Sequence, residues 1–187
     1  RSTVPVAREA VTGAAVDIVI KGLTSGHSGV EIDKGRANAN ALMGRMLCEL
    51  AAKEDFRLAA LEGGSRETAI AASSSAQIIV EPGKATGVCE IVGKLGAQYA
   101  SEYATAEPNM QVNAVAGKTG TVKVLTQAGT EKVWRVLVSL PDSVQAMCID
   151  MPGLVQTSTN FGTLKLEENA LTFSNTVRSS ITAQKEW

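Results

Sequence analysis

What most narrows the fold of this chain is the way its apolar residues change period. Val16, Ile18 and Ile20 alternate with Asp17, Val19 and Lys21, the two-residue repeat of a strand. Ala39, Met43, Met46, Leu47 and Leu50 then recur at helical spacing, which predicts a helix over 35–52. A short strand over 56–61, ended by Gly63-Gly64, and another over 76–81, punctuated by Pro82-Gly83, follow. Val88, Ile91, Val92, Leu95, Tyr99 and Tyr103 mark a second helix, and a strand over 110–115 comes after it. This βαββαβ succession is typical of a ferredoxin-like two-layer sandwich, an antiparallel sheet with helices on one face.

The remainder reads as a partial second α/β unit. It holds a short strand over 122–125, a helix over 131–140 ended by Pro141, a strand over 144–149, and a hairpin of 154–166 with 170–179 around Glu167-Glu168-Asn169. In the last strand Leu171, Phe173 and Val177 point one way, and Thr172, Ser174, Thr176 and Arg178 the other. The fold class is therefore α+β, with a βαββαβ unit at about 14–116 extended by a second unit at about 117–187. A length of 187 residues suits one domain or two small packed units. Aromatics are 4% of residues, so aliphatic side chains and methionine must fill the core. The chain starts at Arg1 and stops in what looks like the first turn of a helix, 182–187, which reads as a piece cut from a longer polypeptide.

Charge and motifs remove several function classes. With 18 basic and 19 acidic residues the net charge is -1, which argues against nucleic acid or an anionic membrane as main partner. No apolar run is long enough to span a bilayer, and no signal-peptide pattern is present. Cys48, Cys89 and Cys148 are odd in number and lack a CxxC pairing, as expected of reduced core thiols in a cytosolic protein. There is no HExxH, no metal-spaced Cys/His cluster, no GK[ST] phosphate loop and no GxSxG elbow. A chain with a single histidine cannot build a His-based metal site by itself.

That histidine, His27, sits in Thr24-Ser25-Gly26-His27-Ser28-Gly29, just after the first strand. Taken alone it reads as a loop histidine. Its glycine neighbours would also let it be presented on bare backbone, as a donor to a polarised carbonyl or oxyanion. Arg178 reads alone as a solvated strand-end arginine, or as a fork for a carboxylate. The segment Gly63-Gly64-Ser65-Arg66-Glu67-Thr68-Ala69-Ile70 reads as a polar turn entering a strand. None of these amounts to a self-sufficient active site.

Taken together, the stretches resemble a known family. Ile18 to Ile32 around His27, then Asn38-Ala39-Asn40, Gly63-Gly64, Leu140-Pro141-Asp142-Ser143, Gly153 to Gly162 and Val177-Arg178-Ser179-Ser180 closely resemble, in order, the aminoacyl-histidine dipeptidases. These are di-zinc exopeptidases of the cytosolic Xaa-His type, in which an inserted lid or dimerisation domain faces a catalytic domain that binds both metals. The resemblance implies that this chain is most of the inserted domain and nothing else. It would bind no zinc itself, its partners being its own catalytic domain, a dipeptide substrate and a second copy in a homodimer.

By the same resemblance, His27 corresponds to the lid histidine that polarises the scissile carbonyl and steadies the tetrahedral intermediate. Arg178 corresponds to the arginine that holds the substrate's C-terminal carboxylate. Thr68 stands where the family usually has an asparagine touching substrate, in Thr68-Ala69-Ile70-Ala71 where Asn-Ala-Ile-Pro is usual. A hydroxyl offers fewer donors than an amide, so a shifted substrate preference or reduced activity is expected. Ser25 also replaces a usual glycine. A reading of another class is a non-catalytic interaction module that self-associates through a sheet edge or its helices.

Overall fold

A short strand, β1 (Ser2–Pro5), leads into β2 (Arg8–Lys21), where Val16, Ile18 and Ile20 are fully buried as their alternation requires. The computed structural model describes residues 1–186; Trp187, the end of the expected last helical turn, lies outside them. A two-residue strand, β3 (Gly26–His27), follows β2, and then α1 (Ala39–Ala51). Next come β4 (Arg57–Gly63), the two-residue β5 (Ala69–Ile70) and β6 (Ser74–Val80). The helix α2 (Ala85–Glu102) and the strand β7 (Gln111–Leu125) complete the βαββαβ core. Its spatial order, β4-β6-β2-β7 with every pairing antiparallel, is the ferredoxin-like arrangement.

Burial explains the layering. Met43, Met46, Leu47 and Leu50 of α1 share one apolar cluster with Val88, Val92 and Tyr99 of α2 and with Val16, Ile18, Ile20 and Ile78 of the sheet. Most of the stabilisation of such a sandwich comes from that shared burial, at about 25 cal/mol for each Å² of apolar surface removed from water. The first helix starts four residues later than its apolar spacing suggested. Gly35 lies at φ +68, in the left-handed region, and the helix begins only where Asn38 caps it, its Oδ1 accepting from Asn40 N at 3.0 Å.

The strands expected over 110–115 and 122–125 are one strand. β7 runs unbroken through both, because the Gly- and Thr-rich stretch between them pairs with Thr12–Val16 of β2. The helix expected from 131 begins at Gln127, as α3 (Gln127–Ser139), because Thr126 caps it through Gly129 N.

The last third adds β8 (Ser143–Met147), β9 (Val155–Leu166) and β10 (Ala170–Ser179), then the short α4 (Thr182–Glu186). The hairpin of β9 and β10 is the expected one, and β1 extends it beyond β10. This part joins the core sheet through only two residue pairs, Glu62–Lys165 and Gly63–Leu164. Arg8 reinforces the joint by donating to Ala59 O at the β4 bulge and to Glu168 O in the β9–β10 turn, both at 2.9 Å. The three thiols are unpaired, but they are half-buried rather than in the core as the sequence suggested.

Candidate functional site

Beyond Lys21 the chain leaves the sheet through Gly22, at φ +80, where a Cβ would stand 2.2 Å from Asn109 O. It then returns along β5: Gly26 pairs with Ile70 and His27 with Ala69. Ser28 N donates to Thr68 O at 2.9 Å, so Thr68 lies beside the histidine strand. Ser25 adopts φ +61, a conformation glycine favours, and its Oγ donates to Ile70 O at 2.6 Å. The glycine flanks of His27 are not bare. The space over Gly26 is filled by the Arg36 guanidinium and a Glu31 oxygen, and that over Gly29 by the imidazole itself.

His27 is exposed, yet its ring is held. Nδ1 accepts from Gly29 N at 3.1 Å and from Val30 N at 3.3 Å. A nitrogen that accepts two N–H bonds has no proton, so in the neutral ring these bonds assign the proton to Nε2. The His27 main-chain N–H donates to Glu31 Oε2 at 2.8 Å, and Glu31 is paired with Arg36 at 2.8 Å. Those two interactions, the His27 amide foremost and Arg36 next, hold the Glu31 carboxyl below the usual carboxylate range. Arg36 also donates to Ser25 O.

Arg178 stands near the end of β10, opposite Ser158 of β9, and is exposed. A Cβ on Gly29 would lie 3.0 Å from His27 Cε1 and 3.5 Å from Arg178 Cζ. Imidazole and guanidinium therefore close on one spot. The neighbouring positions Asn160 and Thr176 fix that approach. Asn160 Nδ2 donates to Glu67 O and Ala69 O at 2.9 and 3.0 Å, and Thr176 Oγ1 donates to Glu67 O at 3.3 Å. The fold thus gathers His27, Thr68 and Arg178, which are far apart in sequence, at one end of the sheet. A nearby concavity of about 970 Å³ beside Gly63 and Gly64, lined by Ser73, Ser75 and Thr163, includes none of the three.

Sequence reasoning gave no role to the residues that build this mount. Asn38 Nδ2 donates to Asp142 Oδ1 at 2.9 Å and to Phe161 O at 3.0 Å, and Asp142 Oδ1 accepts from Phe161 N at 2.8 Å. Burial pushes the Asp142 carboxyl above the usual range, against the lowering effect of these bonds. Gly64, at φ +66, would place a Cβ 1.8 Å from Gly162 O, so the Gly63-Gly64 pair permits the close crossing of β4 and β9. Two buried asparagines, Asn38 and Asn40, at the head of an apolar helix were the available signal.

Among the described residues no group of three or more His, Cys, Asp or Glu is placed to hold a metal, so the residues present do not form a metal site. No helix among them is long and apolar enough to cross a membrane.

Residues 18–106 match the peptidase dimerisation domain family. The crystal structure of aminoacylhistidine dipeptidase from Vibrio alginolyticus superposes with a TM-score of 0.93 at 28% identity, over 98% of this chain and 38% of that one. The fold and these matches define a peptidase dimerisation domain of the M20 type. More particularly, it is similar to part of a dipeptidase: the cytosol non-specific dipeptidase of Escherichia coli (strain K12) is 30% identical over 184 residues, 96% of this chain. The chain spans 37% of that relative's length.

Proposed function

We propose that this domain is the lid of a cytosolic zinc dipeptidase of the Xaa-His type. His27 donates from Nε2–H to the carbonyl oxygen of the scissile bond and to the oxyanion that develops there. Arg178 takes the substrate's C-terminal carboxylate in a two-bond fork. Thr68, whose carbonyl accepts from Ser28 N beside His27, offers its hydroxyl to the same substrate in this reading. The observation that carries this reading is the convergence of His27 and Arg178 over Gly29, with Nδ1 occupied by backbone donors so that Nε2 is the donor.

The two zinc ions of the resemblance have no ligand set among the described residues; the reading assigns them to a catalytic domain outside this chain. Both functional side chains sit on exposed surface. Closure over a substrate would remove water from them and strengthen each hydrogen bond. Arg178→Ala in a full-length parent should raise KM about tenfold or more for dipeptides with a free carboxylate. C-terminally amidated substrates should change little. Equal loss on both would remove the carboxylate role.

Self-association is a second reading with its own support. β7 is an edge strand of 15 residues, paired on one side only, and most of its side chains are exposed. A homodimer formed by this domain would give that edge a partner.

A further inference from the structure

We propose that Glu107 is a positioning residue for His27, acting on the stem of the loop that presents it. This rests on His27 being the working donor of the reading above. Glu107 follows α2, is 1% exposed, and has no cationic partner among the described residues. Its two oxygens accept main-chain N–H groups from the two sides of the histidine loop: Oε2 from Thr24 N at 2.6 Å and Oε1 from Ala37 N at 3.0 Å.

The loop needs such a clamp. Residues 25–36 include Gly26, Gly29 and Gly35, and Ser25, Gly26 and Gly35 all lie at positive φ, so local preference does not set its shape. Closing its ends is an entropic burden that a bridging acceptor carries. Thr24 immediately precedes Ser25, and Ala37 immediately follows Arg36; Arg36 in turn donates to Ser25 O. The carboxylate and the Arg36–Ser25 contact are thus successive rungs of one stem. From Arg36 the order passes to Glu31 and then to the His27 amide. Glu107 is itself fixed, its N–H donating to Tyr103 O at 2.8 Å and its carbonyl accepting from Met110 N at 3.1 Å. A carboxylate suits the task because both its oxygens accept and bonds to it are charge-assisted. An amide would offer one acceptor and turn its NH₂ toward the other N–H.

The single histidine makes the test direct. Long-range ¹H–¹⁵N spectra of the whole 187-residue chain give one imidazole pattern, which should report a proton on Nε2 at alkaline pH. In Glu107→Gln the two ring nitrogens should move toward an exchanging average, and exchange protection of the Gly29 and Val30 amides should fall about tenfold. Val80→Ala, a core change at the other end of β6, should leave the imidazole pattern in place. Unchanged ring shifts with protection within about twofold of wild type would overturn the proposal, as would a Val80→Ala spectrum that matches Glu107→Gln. If Glu107→Gln does not fold, Glu107→Asp, which keeps the charge but shortens the reach, is read by the same criteria. In a full-length parent, Glu107→Gln should lower kcat with KM little changed. An altered ring pattern with unaltered kcat would leave the positioning role standing and remove His27 from catalysis.

Discussion

Ser25 shows how one residue can be both strained and useful. A non-glycine residue in the left-handed region costs about 1 kcal/mol, and the Ser25 Oγ bond to Ile70 O returns about as much. Ser25→Gly should therefore change the unfolding free energy by less than about 1 kcal/mol, whereas Ser25→Val, branched and without the hydroxyl, should lose about 2 kcal/mol or more in urea denaturation. Gly29→Ala tests the mount differently. Its φ is not in the left-handed region, so the fold should persist, but the new methyl meets the imidazole and should shift the His27 ring signals. Glu31 supplies a pH dependence. Its folded-state carboxyl titrates below its unfolded value, so its contribution is present above the ordinary carboxylate range and is lost as pH falls through the depressed folded value. An acid titration of the His27 amide shift should show that loss, and Glu31→Gln should abolish it. His27 and Arg178 could be singled out in the sequence because glycine flanks and strand parity are local signals. Glu107 could not, since a lone glutamate after a helix says nothing until its distant N–H partners are known.

Elements were legible in proportion to how far their own residues determine them. The first two helices and the β9–β10 hairpin carry apolar periodicity or a polar turn, and the structure keeps them nearly where the sequence put them, whereas β2 begins at Arg8, eight residues before the alternation that marked it. β7 was divided because its middle, Ala116-Gly117-Lys118-Thr119-Gly120-Thr121, has no apolar alternation; its strand form comes from hydrogen bonding to β2. The two-residue strands β3 and β5 are shorter than any sequence period and arise from the loop's tertiary contacts. The junction of α1 with β9 gives a prediction at this scale. Asn38→Ala removes a helix cap and the bonds to Asp142 and Phe161, and should lower stability by about 2–3 kcal/mol. Asp142→Asn keeps an acceptor for both partners while relieving the burial of charge, and should be far milder by the same denaturation measurement.

At the scale of the whole molecule, the chain offers one face of helices, an open sheet face, a long edge strand, and at one end the side chains of His27 and Arg178 beside the Thr68 backbone. The strand order was implicit in βαββαβ, but the meeting of His27 with Arg178 was not, because it depends on β9 and β10 joining the sheet beside β4. Light scattering should give twice the monomer mass, and charged substitutions along the exposed part of β7, such as Val115→Lys, should return it to the monomer. A chelator should leave the thermal midpoint of the isolated chain unchanged, since no ligand set for a metal exists among its described residues. The most direct measurement of the central claim is turnover by His27→Ala in a full-length parent. The account predicts a kcat lower by about a hundredfold or more with bound metal unchanged; turnover close to wild type would contradict it.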